Sequence, residues 1–219
     1  MAFASDPATS PQFKFFELLY REAFARLGYE FDYQVLPMKR CSVMANAGKV
    51  DGEPQRIGNY AVTYDNLIRV EEPVFVTKVY AFARDPAIII TNWDSLTHTH
   101  YYVDYVIGAL QTEQALLDRV PAPYLTGIKS VKQGLNRLNA GRSDIFIDLE
   151  VRAQPLLQSR AFKTSGIVIV GTLSSHHSYP FLHKRHRELA PKLAATLKQL
   201  KSEGVYQQIL HETLPFIEL

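Results

Sequence analysis

The sequence predicts an α/β chain built as two lobes of similar design, each a mostly parallel sheet flanked by helices, and three observations predict it. Stretches with apolar residues at helical spacing alternate along the chain with stretches in which apolar and polar residues alternate one by one. The pattern Asn46-Ala47-Gly48-Lys49-Val50-Asp51 returns as Asn139-Ala140-Gly141-Arg142-Ser143-Asp144, in each case a helix end, a glycine, a base and an aspartate entering a strand. The 219 residues, 47% hydrophobic and 21% charged, suffice to bury a core without metal or disulfide staples. A glycine after a helix is common enough for such an echo to arise by chance; the similar order of elements around both copies is what favours duplication.

Ser10-Pro11 opens the first helix, with serine placed to cap and proline at the first helical position. Phe15, Phe16, Leu19, Ala23 and Leu27 follow on one face, and Gly28 ends it. Tyr29, Phe31, Tyr33 and Val35 then alternate with Glu30, Asp32 and Gln34, which predicts a half-buried strand. A helix over 38–47 stops at Gly48, an extended stretch begins at Asp51, and 77–83 reads as a strand. The second half repeats the theme: a strand over 103–107, a helix over 112–120, a helix opened by the Ser130-Val-Lys-Gln133 capping box and stopped at Gly141, and a strand over 144–149. The last third reads as a strand over 167–171, an irregular segment over 174–180 and a helix over 188–203. Leu189, Leu193, Leu197 and Leu200 form one apolar stripe on that helix, which needs a partner surface in the first lobe.

Composition also excludes. The 24 basic and 22 acidic residues are well mixed and leave a net charge of +2, so no face is built to neutralise a phosphate backbone and nucleic acid is not an expected partner. Cys41, the lone cysteine, cannot form an internal disulfide and reads as a packed side chain in a helix. Apolar runs such as 167–170 are too short to cross a bilayer. The opening Met1-Ala2-Phe3-Ala4-Ser5 lacks the basic start and apolar core of an export signal, which fits the expected mature chain whose export segment has been removed and would equally fit a cytoplasmic protein.

Several segments together resemble one family. Leu27-Gly28-Tyr29, Leu36-Pro37-Met-Lys-Arg40, Gly48-Lys-Val-Asp51-Gly52-Glu53 and Gly141-Arg-Ser-Asp144, with the closing Leu193-Ala-Ala-Thr-Leu-Lys-Gln-Leu-Lys-Ser-Glu-Gly204, resemble the family 3 extracellular solute-binding proteins, the amino-acid type of ABC-transporter receptor. Asp51-Gly-Glu-Pro-Gln-Arg56, Tyr64-Asp-Asn-Leu-Ile-Arg-Val70 and Leu182-His-Lys-Arg-His186 look like a divergent branch of it. The resemblance covers nearly the whole chain. It implies a type II periplasmic-binding-protein fold with a ligand in the cleft between lobes, lobe 1 being residues 1–80 plus 173–219 and lobe 2 residues 81–172. Crossing strands are expected near 78–84 and 166–172. It further implies a periplasmic monomer without cofactor or metal, serving an ABC permease or a membrane sensor and closing on a small polar solute. The chain departs from the family in two places. Only about ten residues precede the first helix, so the opening strand and its aromatic ligand loop are expected to be missing or remodelled. The usual Thr-x-x-Arg clamp is absent, and Asp51-Gly-Glu53-Pro-Gln-Arg56 is the nearby substitute.

The candidate ligand residues follow, each with a plainer reading beside it. Arg56 is either an anion contact, since a guanidinium grips a carboxylate through two parallel hydrogen bonds, or a surface ion pair with Glu53. Arg40 is either turned inward or a solvated helix residue, and Arg69 lies in an alternating stretch where exposure is the default. Gln111 and Thr112 lie where a strand feeds a helix N-terminus, an anion seat, with Thr112 alternatively a simple cap. Asp148 stands where the resemblance implies the ammonium-binding acid; the alternatives are an acid in water or a cap. Trp93, Tyr60 and Tyr64 offer stacking surfaces or core packing. The histidine pairs, His98 and His100, His176 and His177, His183 and His186, lack the acid or cysteine company of a zinc motif. A rival reading is a lyase resembling the periplasmic cyclohexadienyl dehydratases, with His176 or Glu53 as general acid or base. A third, the ligand-sensing half of a regulator, is disfavoured because no DNA-binding helix pair precedes it.

Overall fold

The computed structural model describes residues 1–57 and 60–217. In chain order the elements are β1 (Ala2–Phe3), α1 (Pro11–Arg26), β2 (Gln34–Val35), α2 (Met38–Asn46), β3 (Gly52–Ile57), β4 (Leu67–Arg69) and β5 (Phe75–Ala83). There follow β6 (Val103–Val106), α3 (Leu110–Leu117), β7 (Leu125–Ile128), α4 (Val131–Asn139), β8 (Ile145–Leu149) and α5 (Glu150–Leu157). The chain closes with β9 (Val168–His183), α6 (Leu189–Ser202) and α7 (Val205–Thr213). Two compact units result: Met1–Val76 with His176–Leu219, and Thr77–Ser175. The chain passes between them along β5 and β9.

In the first unit, Ser10 caps α1 by accepting from the Phe13 amide, and Phe13, Phe15, Phe16, Leu19, Tyr20 and Ala23 are buried along one face. α6 and α7 pack on α1. β3 and β4 both run antiparallel to β9, with Gly52 opposite Leu182 and Leu67 opposite His183. Three expectations are corrected here. An opening strand does exist, β1, paired parallel with β2 through Ala2 to Gln34 and Phe3 to Val35. The strand expected over 29–35 shrinks to Gln34–Val35, because Phe31 leaves the alternation to stack on Phe24 with ring centroids 5.7 Å apart while Tyr29 stays exposed. The segment 174–180, read as irregular, continues β9: Ser178 and Tyr179 pair with Ile57 and Arg56, and Pro180, which has no N–H to donate, accepts from Val70.

In the second unit, β6 lies parallel to both β7 and β8, and β5 runs antiparallel to β8. Ser130 caps α4 through the Gln133 amide at 3.2 Å, while the Gln133 side chain takes the Lys129 amide rather than that of Ser130, one residue off the expected box. One core gathers Val79, Ala81, Leu96, Val103, Leu116, Ile145 and Ile147; another, on the α4 side, holds Phe82, Leu135 and Phe146. α3 begins at Leu110 with Ala109 at the cap position and no capping side chain, so Thr112 is a buried residue of the first turn and not the cap.

The sequence echo has a structural counterpart. α2 and α4 each run out into a glycine with φ near +66°, Gly48 at 67° and Gly141 at 66°, a left-handed turn that releases the chain toward β3 and β8. The aspartates that follow differ in use: Asp51 pairs with Arg185 and His186, while Asp144 accepts from the Tyr102 amide at 2.8 Å.

Candidate functional site

A register shift builds the site in the first unit. Glu53 pairs with Phe181 and Arg56 with Tyr179, so β3 carries one residue more than β9 between those pairs. Residues three apart on a regular strand face opposite ways; the extra residue brings Glu53 and Arg56 to one side. Pro54 lies at the irregularity, and its carbonyl is held by the Tyr20 hydroxyl.

Glu53 is wholly buried and paired with the Arg56 guanidinium, whose side chain is 15% exposed. The Tyr60 hydroxyl donates to Glu53 Oε1 at 3.0 Å and also bonds the Ser42 hydroxyl on α2. Arg56 Cζ lies 5.2 Å from the centroid of the Tyr60 ring, and the Tyr64 ring is 4.7 Å beyond Tyr60. The pair is thus buried, not the surface ion pair that was the plainer reading. Burial raises the Glu53 carboxyl above its ordinary value despite the opposing pull of Arg56. Burial also pushes Tyr60 up to about 12 and raises the Cys41 thiol, which is buried on α2 as the sequence led one to expect.

Asp148, at the end of β8 in the second unit, is 2% exposed. One oxygen accepts from the Leu149 amide at 2.7 Å and pairs with Arg152, four residues on; the other is buried without a hydrogen-bond partner among the described residues. Burial raises this carboxyl too, against Arg152. It is therefore neither an acid in water nor the residue at the cap position of α5, which is Leu149.

The remaining candidates scatter. Arg40 is exposed on α2 and Gln111 on α3, Thr112 is buried, and Trp93 packs half-buried on the core around Leu96. Arg69 pairs with Glu71 and lies over the Tyr179 ring. His176 is exposed on β9, His183 packs over Gly48, and His186 touches Asp51 at 2.7 Å. Sequence reading missed Ser42 and Arg152. The four-residue spacing of Asp148 and Arg152 was a readable signal once α5 is known; Ser42 carried none.

The fold is shared with solved periplasmic binding proteins, two-lobed α/β molecules. An ancestral arginine-binding protein bound to arginine superposes with a TM-score of 0.65 at 17% identity, over 91% of this chain and 87% of that one. The L-cystine solute receptor of Neisseria gonorrhoeae gives 0.71 at 15% identity over 91% and 82%. A histidine kinase sensor domain with similarity to periplasmic binding proteins gives 0.64 at 17% over 94% and 87%. No family model matches the sequence. An uncharacterized protein of Shewanella oneidensis is 43% identical over 208 residues, 95% of this chain and 79% of that protein, and the chain belongs to the same family as that protein. Among the described residues no helix is long and apolar enough to cross a membrane.

Proposed function

We propose that the chain is a periplasmic solute-binding protein, a divergent relative of the family 3 extracellular receptors. It binds a small polar ligand, amino-acid-like or an organic anion, as a monomer, and delivers it to an ABC permease or presents it to a membrane sensor without chemical conversion. The fold and the binding proteins that share it support the class. The observation that carries the reading is the Arg56 guanidinium, held against the Tyr60 ring by a buried carboxylate. Such a preorganised fork is suited to a carboxylate, which it meets at little cost in side-chain ordering. In the second unit Asp148, with one oxygen unbonded among the described residues, is suited to an amine.

Glu53 as the general acid of a lyase is disfavoured, because its carboxyl is fully enclosed and already bound to Arg56 and Tyr60. A thermal-shift screen of amino acids, small peptides, organic acids and polyamines tests the receptor reading. A ligand at a hundred times its Kd adds about 2.7 kcal/mol of stability. A flat screen overturns the proposal, as does conversion of a prephenate-like compound.

A further inference from the structure

The Glu53 carboxyl faces few groups that can carry charge. Arg56 comes from its own strand, Cys41 and Ser42 from α2, and Tyr60 from the turn Tyr60–Val62; Phe181 lies opposite on β9, and Tyr20 reaches the neighbouring Pro54 carbonyl from α1. Burial raises the thiol and both tyrosines, so all three stay neutral at physiological pH. Arg56 is then the cation that acts on Glu53 among the described residues.

A ligand carboxylate that docks on Arg56 brings a second negative charge to a guanidinium already neutralised by the first. Two carboxylates sharing one buried cation repel, and the arrangement relaxes when one takes a proton. Glu53 is the one shut away from water, and burial already holds it above the ordinary carboxylate range with Arg56 unshared. We propose that occupation of Arg56 by an anionic ligand is coupled to uptake of one proton by Glu53, so that solute and proton bind together. This rests on Arg56 being the anion contact. The balance is simple: one proton leaves solvent, the Glu53 carboxylate becomes a carboxylic acid, and Arg56 exchanges an internal partner for the ligand. Tyr60 and Ser42 then serve the neutral acid as well as the anion, since each hydroxyl can donate or accept.

Isothermal titration of the full chain with L-glutamate and with L-lactate, anions whose own carboxyls stay ionised between pH 5.5 and 8.5, in buffers of different ionisation enthalpy over that range, counts the protons. The expected result is uptake approaching one proton per bound anion, with Kd weakening roughly tenfold per pH unit where Glu53 titrates. Glu53→Gln, which mimics the protonated acid, should show no proton uptake and a flat pH dependence in the binding it retains, whatever its affinity. If that variant does not fold, the carboxyl carbon resonance of Glu53 in the wild-type chain reads its protonation directly as probe is added. Binding with no proton uptake, or uptake that persists in Glu53→Gln, overturns the inference and leaves the receptor reading standing. No binding of either probe overturns Arg56 as the anion contact and this inference with it.

Discussion

Arg137 closes on Asp104 with Nε 2.7 Å from one carboxylate oxygen and Nη2 3.3 Å from the other, fastening α4 to β6. Asp104 is 1% exposed while the Arg137 side chain is 28% exposed, so among the described residues the acid depends on this fork. Arg137→Ala leaves a buried charge uncompensated and should cost about 3–5 kcal/mol. Replacing both partners with apolar residues of similar volume should recover most of that loss. Urea unfolding of the single and double variants decides it, and an equal loss in both would place the stability in side-chain packing instead.

Glu53 and Asp148 make the stability depend on pH in an unusual direction. Both are raised by burial, so each binds its proton more tightly folded than unfolded. Their contribution is fully present below the unfolded carboxylate value and is lost as pH rises through the folded value. Glu17 and Asp51, held low by Lys14 and Arg21 and by Arg185 and His186 against the effect of burial, act in the opposite sense and lose their contribution as pH falls. Glu53→Gln and Asp148→Asn should therefore gain on the wild type as pH rises from about 4 toward neutrality. Parallel melting curves across that range would refute this.

Gly171 on β9 lies against the Ile90 carbonyl so closely that an added Cβ would stand 1.7 Å from its oxygen. The approach is backbone on backbone, with the Ile90 amide donating to Val170 at 3.0 Å, and no side chain can swing aside. Gly171→Ala should cost upward of about 2 kcal/mol by forcing the two segments apart. Gly141→Ala is the comparison, with open space around the new methyl and only the strain of a positive φ, worth about 1–2 kcal/mol. Equal losses in thermal melts would mean that the segment at Ile90 yields freely.

Much of this fold could be read from local pattern, and the failures have physical causes. α1, α2, α4, β6 and β8 carry caps, glycine stops or largely apolar runs, and local chemistry decided them. The stretch from Tyr29 to Val35 alternated as a strand should, yet Phe31 gained more from stacking on Phe24 than from a ladder. The polar run from Ser174 to Pro180 read as a loop because β-propensity measures fit to neighbours, and here β3 and the amides of Val70 and Val74 supply the neighbours from distant sequence. α5 was legible only as a helix that Asp148 could cap, its extent masked by Pro155, and α7 hid behind Gly204, which begins a second helix as readily as it ends the first. Of the site, Arg56 and Glu53 were legible as a pair of opposite charges. Their burial was not, because it follows from a one-residue register shift against a strand distant in sequence, for which Pro54 is the local hint.

α7 is held by Tyr206, and the hold divides into parts that can be measured separately. Its hydroxyl donates to the Val74 carbonyl at 3.0 Å, its ring meets Phe15 edge-on at 5.3 Å, and Lys201 Nζ lies 5.4 Å over its face. Lys201 itself reaches Glu72 and the Pro73 carbonyl, so residues 72–74 are gripped from α6 and α7 together. Tyr206→Phe keeps the ring and deletes one hydrogen bond, a loss of about 1 kcal/mol. Tyr206→Ala also empties the space beside Phe15 and should cost about 3–5 kcal/mol. Lys201→Met combined with Tyr206→Phe should deviate from additivity by more than about 0.5 kcal/mol, because both grip the same segment. Equal losses for Tyr206→Phe and Tyr206→Ala would show that α7 is pinned by the hydroxyl alone, with the aromatic contact contributing nothing.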